Sequence, residues 1–360
     1  MDKKYRLVAT AAFGIESVVS SELKRLNFEN IKIENGKISY DSDIDGIVKS
    51  NLWLRCADRV YIELGKFNAI TFTDLFDGVK TIPWEEIVPF EGRVIVNAKS
   101  IKSMLYSKSD IQSISKKSIS DRLCKFHKET WLPETGQVYS VTISIFNDEV
   151  SVLLDTSGEA LHKRGYREHQ TEAPMKETLA SALVLLSNWN FKEKLIDPMC
   201  GSGTILIEAA LFARNIAPGL QRKFAAENWD FIPTQVWKNM RKEAYEAIRN
   251  DVKLDIVGSD KDPQAVKYSV LNAKAAGVDE DIVFSLSNLT NFNTNARRGS
   301  IITNPPYGER LEDEKSTKEL YKLMSEKFSK YVGFDKNIIT SFEGFESVFG
   351  KKADKNRKLF

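Results

Sequence analysis

The sequence predicts an α/β chain in which a doubly wound, mostly parallel sheet follows two smaller α/β units. Three observations predict it. From Leu195 onward, short apolar strand candidates alternate with helical patterns, the order expected of a parallel sheet covered on both faces. The first 66 residues read strand, helix, strand, strand, helix, strand, which is the order of a ferredoxin-like unit. The length, 360 residues, exceeds one typical core and suggests two or three domains at about 150 residues each.

Tyr5 to Ala9 has strand composition, and Gly14 to Leu26 places Ile15, Val18, Val19, Leu23 and Leu26 at helical spacing. Ile31 and Ile33, then Ile38 and Tyr40, alternate with polar residues on either side of Asn35-Gly36, the signal for a two-residue hairpin. A helix at Ile44 to Arg55 and a strand at Arg59 to Lys66 close this unit. A helix near Phe72 to Val79, a strand at Arg93 to Ala98, a basic helix from Ser109 to Trp131, and strands at Val138 to Phe146 and Val150 to Asp155 make the second. Pro174 suits the first position of a helix running to Ser187. The parallel sheet takes Leu195 to Pro198, Asp255 to Gly258, Ile282 to Leu286, Ser300 to Thr303 and Asn337 to Thr340, with Asn215 to Asn250 as an inserted loop and helix. Domain boundaries follow at 1–66, 67–158 and 159–360.

Composition is that of an ordinary soluble globular protein, with 42% hydrophobic and 28% charged residues. Apolar runs such as Leu183 to Leu186 fall far short of the ~20 residues that span a bilayer, and Val8 to Phe13 is too short for a secretory segment. A cytoplasmic protein is expected. The three cysteines, Cys56, Cys124 and Cys200, and the three histidines, His127, His162 and His169, show no metal-ligand spacing. A formal charge of +2 is uninformative, but Arg93 to Lys128 carries nine basic residues against two acidic ones. Trp53, Trp84, Trp131 and Trp189 are expected in the core.

Asp197 to Thr204 reads DPMCGSGT between the first strand of the parallel sheet and the apolar helix Ile205 to Arg214. Gly201 and Gly203 allow a tight turn and close approach of a ligand, and the helix amino terminus offers N–H groups to an anion. Asp260 ends the next strand, where a carboxylate can take the hydroxyls of a ribose. Asn304-Pro305-Pro306-Tyr307 follows the strand ending at Thr303. Two prolines stiffen that loop and leave the Pro305 carbonyl without a local N–H partner. An aryl amine placed there gives one hydrogen to the Asn304 side-chain oxygen and one to Pro305, which aims its lone pair at an incoming methyl group. Tyr307 offers a face for stacking an extruded base.

DPMCGSGT, Gly258-Ser259-Asp260 and NPPYGERL resemble three motifs of class I S-adenosylmethionine-dependent methyltransferases that act on exocyclic amines. The resemblance implies S-adenosylmethionine as cofactor. It implies that Asp197, Gly201 and Gly203 hold the methionine part, Asp260 the ribose, and Asn288-Leu289 the adenine, where related enzymes usually have Asp for Asn288. Cys200, Ser202, Thr204 and Thr178 complete the candidate cofactor set. Ser109 to Lys117 resembles the centre of a THUMP domain, an RNA-binding module. His162 to Arg167 and Ala173 to Thr178 resemble the linker and leading helix of bacterial THUMP methyltransferases, similar to the large-subunit ribosomal RNA guanine-N2 enzymes.

The implied fold is a Rossmann-like methyltransferase domain behind a ferredoxin-like unit and an α/β THUMP domain. The implied partner is structured RNA, ribosomal RNA first, with Lys108, Lys116, Lys117, Arg122, Lys125, Lys163, Arg164 and Arg167 as candidate contacts. The motifs serve any aryl amine. Transfer RNA guanine N2, adenine N6 and a non-catalytic ribosome-assembly role stay open at this point. Members of this family normally continue past Lys358-Leu359-Phe360 into a last antiparallel strand, so a trimmed carboxyl terminus is expected.

Overall fold

The computed structural model describes residues 3–169, 174–306 and 311–359. The chain forms two units, one of residues 1–11, 19–161 and 223–242 and one of residues 12–18, 162–222 and 243–360.

Strand β1 (Tyr5–Thr10), helix α1 (Glu16–Arg25), strands β2 (Glu29–Glu34) and β3 (Lys37–Ser42), helix α2 (Ile44–Trp53) and strand β4 (Arg59–Asn68) follow in the expected order. Gly36, at φ +71°, turns the β2–β3 hairpin. The Asp43 carboxylate caps α2 by accepting the Gly46 N–H at 3.0 Å. Helix α3 (Phe72–Thr81) opens on a capping box between Thr71 and Asp74. Strand β5 (Arg93–Ile101), helix α4 (Lys108–His127) and strands β6 (Val138–Phe146) and β7 (Glu149–Asp155) complete the series. Strand β4 runs past Lys66 and pairs antiparallel with β7 from Tyr61↔Asp155 to Asn68↔Glu149. The ferredoxin-like strands and the strands after them therefore share one sheet, ordered β2-β3-β1-β4-β7-β6-β5. Helix α4 stops before Trp131 because Lys128 turns left-handed at φ 60°. Trp131 is 65% exposed, unlike buried Trp84 and Trp189, so its expected place in the core is corrected.

In the second unit helix α5 (Glu177–Leu186) starts three residues later than Pro174. Lys176 is extended, and the Met175 carbonyl accepts an Arg167 N–H at 2.5 Å in place of a helical bond. Strand β8 (Lys194–Asp197) leads into helix α6 (Thr204–Ala213), which is buried along most of its length. After helix α7 (Thr234–Glu246) come strand β9 (Ile256–Asp260), helix α8 (Pro263–Ala276), strands β10 (Ile282–Leu286) and β11 (Gly299–Thr303), helix α9 (Leu311–Ser329), strand β12 (Phe334–Ile338) and helix α10 (Phe345–Phe349). Asp262 caps α8 with Pro263 at its first position. The five strands are parallel, in the order β10-β9-β8-β11-β12. Strand β12 begins earlier than Asn337 because Phe334 packs into the cluster of Tyr321, Met324 and Phe328. Among the described residues no helix is long and apolar enough to cross a membrane.

The stretch 223–242, expected as an insertion, belongs to the first unit. Trp229 stacks on Tyr139 of β6 with ring centroids 5.3 Å apart and donates its indole N–H to the Val138 carbonyl at 3.1 Å. The Ala226 N–H meets the Thr156 carbonyl at 3.1 Å, and Phe224 stacks on Trp237. Trp229 is buried, so Trp229→Ala is expected to cost about 3–5 kcal/mol of unfolding free energy in denaturant titration. A loss below about 1 kcal/mol would show that this segment contributes little to the unit.

Candidate active site

The strand order places the carboxyl ends of β8, β9 and β11 side by side, with the order reversing between β8 and β11. Open parallel sheets bind ligands at such a crevice. The three ends carry Asp197, Asp260 and Thr303-Asn304.

The glycine loop between β8 and α6 is held from several directions. The Gly201 N–H donates to Asp260 Oδ2 at 2.9 Å, the Cys200 N–H to the Ser259 carbonyl at 2.9 Å, and Asn272 Nδ2 to the Ser202 carbonyl at 3.2 Å. Gly201 and Gly203 both lie in the left-handed region, at φ +54° and +82°. A Cβ on Gly201 would meet nothing within 4 Å, which leaves open space on that side. On Gly203 it would come within 3.0 Å of the Ser269 Cβ and 3.1 Å of the Phe284 ring, so that glycine serves helix-to-sheet packing. Gly203 caps α6 with no side-chain acceptor, leaving the first-turn N–H groups without a side-chain cap. An anionic group with a neighbouring diol suits this cradle.

The candidate side chains divide by position. Cys200, Ser202, Thr204, Thr178 and Leu289 are buried, so the loop offers its backbone more than its side chains. Burial and the nearby Asp197 and Asp260 carboxylates push the Cys200 thiol well above its ordinary range, which keeps it protonated. Asp260 uses Oδ1 for the Asp262 N–H at 3.0 Å and Oδ2 for Gly201, each oxygen keeping a further lone pair. Asn288 caps a short turn, its Oδ1 accepting the Thr290 N–H at 3.0 Å. Its amide donors are the complement it retains.

Asp197 is 1% exposed and turned into the protein. Its Oδ1 accepts the Met199 N–H at 3.1 Å and the Thr303 hydroxyl at 2.7 Å. Asn304 is half-buried, Pro305 buried and Pro306 exposed, while Tyr307 lies outside the described residues. The buried Tyr321 of α9 places its hydroxyl 3.4 Å from the Pro306 carbonyl and 2.8 Å from the Thr340 hydroxyl. No motif in the sequence marks Thr303, Tyr321 or Asn272. Thr303 had one signal, its place directly before Asn304.

The basic candidates also separate. Lys116 bonds the Val94 carbonyl at 2.7 Å and pairs with Glu134. Arg122 makes a two-pronged pair with Glu85 at 2.7 and 2.6 Å and reaches the Lys80 carbonyl at 2.8 Å. Arg164 is buried 3.6 Å from Glu208, which also accepts the Tyr166 hydroxyl at 2.9 Å and the Ser181 hydroxyl at 2.5 Å. Arg167 pairs with Glu177 at 3.1 Å. These four cations are engaged by the protein, and Arg164 and Arg167 supply the counter-charge that the buried carboxylates of Glu208 and Glu177 require. Lys108, Lys117, Lys125 and Lys163 are exposed.

Burial drives the Asp197 carboxyl up to about 7, against the lowering by Thr303 and Met199. A carboxyl whose folded pKa lies above its unfolded value binds more protons when folded, so stability falls as pH rises from about 4 to about 7. Asp197→Asn carries no titrating group there. Its unfolding free energy should drop less than the wild type's between roughly pH 4 and pH 8 in chemical denaturation, and equal drops would show that Asp197 does not titrate in this window.

The RMKL-like methyltransferase domain matches residues 164–360, the RlmL ferredoxin-like domain residues 6–61, and the THUMP domain residues 69–155. The Bacillus subtilis protein named "Putative RNA methyltransferase YpsC" is 44% identical over 99% of this chain and 93% of its own length. The ribosomal RNA large subunit methyltransferase K/L of Buchnera aphidicola is 35% identical over 90% of this chain, which spans about half (48%) of that relative. The crystal structure of SMU.472 complexed with S-adenosylhomocysteine superposes with a TM-score of 0.95 at 43% identity, covering 100% of this chain and 96% of that one. The chain belongs to the RMKL-like methyltransferase family, with the family's ferredoxin-like and THUMP domains ahead of its methyltransferase domain.

Proposed function

We propose that this chain transfers a methyl group from S-adenosylmethionine to an exocyclic amine of RNA, guanine N2 of large-subunit ribosomal RNA. The observation that carries the reading is the adjacency of the glycine loop after β8 and Asn304-Pro305 after β11, at neighbouring strand ends. The Buchnera relative's name supports the RNA class.

The open side of Gly201 and the first turn of α6 would hold the amino acid part of the cofactor, Asp260 the ribose hydroxyls and Asn288-Leu289 the adenine. When bound, S-adenosylmethionine supplies an electrophilic methyl group. The Asn304 side-chain oxygen and the Pro305 carbonyl accept the two amine hydrogens and orient the lone pair. A methylated aryl ammonium is a strong acid, so its proton leaves to solvent without a dedicated base. Tyr307 would stack on the base. The region 67–158 grips RNA phosphates through exposed Lys108, Lys117 and Lys125, with Lys163 in the linker, while 159–360 performs the chemistry. Such a substrate fits a cytoplasmic protein.

Nucleoside analysis of ribosomal and transfer RNA from a deletion strain tests the target. A missing N2-methylguanosine in large-subunit RNA is expected; a missing N6-methyladenosine instead would move the target to adenine, and unchanged nucleosides would sink the enzymatic reading. Asn304→Ala should lower turnover by about 10²-fold or more with S-adenosylmethionine affinity within about twofold. Weakened cofactor binding at unchanged turnover would reassign Asn304 to the cofactor. Reversing Lys117 and Lys125 to Glu should weaken RNA binding and reduce the slope of log affinity against log salt by about 2. An unchanged slope would remove both from the interface.

A further inference from the structure

We propose that Thr303 is a positioning residue that couples the cofactor loop to the amine-holding loop through the buried Asp197 carboxylate. The inference rests on the function proposed above.

The backbone ladder between β8 and β11 ends at Ile196↔Ile301. Beyond that point the Thr303 hydroxyl, 2.7 Å from Asp197 Oδ1, links the two strand ends. The same oxygen accepts the Met199 N–H at 3.1 Å, in the first turn of the glycine loop. One carboxylate oxygen thus holds a backbone group of the cofactor loop and the side chain of the residue immediately before Asn304. Thr303 is anchored on its other side by its carbonyl, which accepts the Ile339 N–H at 3.2 Å. Both Asp197 and Thr303 are buried, at 1% and 0% exposure, so no water replaces a lost donor without rearrangement. Ligand bound against the glycine loop restrains Met199 and, through Asp197, the backbone that aims Asn304.

The test compares Thr303→Val, which deletes the hydroxyl at similar volume, with Thr303→Ser, which keeps it. Hydrogen exchange is followed on the full chain with and without S-adenosylhomocysteine, alongside steady-state methyl transfer. In wild type and Thr303→Ser the ligand is expected to slow exchange both in residues 199–204 and in residues 300–304. In Thr303→Val it should slow only the first segment, with kcat lower by about tenfold or more and KM for cofactor and RNA within about twofold. Protection of 300–304 that persists in Thr303→Val, or is missing already in wild type while 199–204 is protected, overturns the coupling alone. Loss of the coupling in Thr303→Ser as in Thr303→Val does the same, as does a raised cofactor KM at unchanged kcat. Absence of ligand protection anywhere in the wild type overturns the methyltransferase reading together with it.

Discussion

The buried carboxylate of Asp197, shared between the Met199 N–H and the Thr303 hydroxyl, is the interaction on which the site depends. It exists because β8 sits between β9 and β11, so that the motif closing the first strand faces the motif closing the fourth. An ionised carboxylate in that position is costly, and burial raises its pKa accordingly. Two donors on one oxygen offset part of that cost. Asp260 performs a parallel task from the other neighbour, receiving Gly201, so the glycine loop is tied to strands on both sides. Asn272 adds a third tie at Ser202, and also bonds the His169 carbonyl at 2.9 Å. The loop is thus largely preorganised, as an electrostatic cradle must be to act without reorganising.

A second set of buried charges stands behind the loop. Glu208 lies on α6, four residues after Thr204, where Arg164, Tyr166 and Ser181 converge on it. Burial pushes Tyr166 well above its ordinary range and Glu177 up to about 7 even beside Arg167, while burial and the surrounding cations press His162 down to about 4. These groups tie the linker preceding α5 to the helix that carries the cradle. Breaking one member of such a cluster leaves an uncompensated charge, which is why its members are held in place. Arg122 and Lys116 perform similar work in the first unit, tying α4 to Glu85 and Glu134.

Features with a local period or a local turn signal were legible in the sequence. The Asn35-Gly36 hairpin, helices α2 and α3, and the glycine turn all declare themselves within a few residues. Asn304-Pro305-Pro306 was legible for the same reason, since its rigidity is covalent. Pairing partners were not. Nothing in the sequence of β4 or β7 names the other, yet their pairing merges two predicted units into one sheet. The Trp229 segment reads as an insertion until Tyr139 is seen beneath it. Basic residues were the least legible class. Lys116 and Lys117 are neighbours in sequence, but one is bound to the β5 backbone and the other is exposed, a distinction fixed by helix phase and by a distant glutamate.

Under the proposed function the loop after β8, backed by Asp260, holds the methyl donor. Isothermal titration of S-adenosylhomocysteine into the purified chain addresses it most directly, with Asp260→Ala as the paired variant. Saturable binding at one site per chain is expected and, for the variant, an affinity lower by about tenfold or more, as when hydrogen bonds to a charged group are removed. No heat of binding in the wild type, or the same affinity in both proteins, would contradict it.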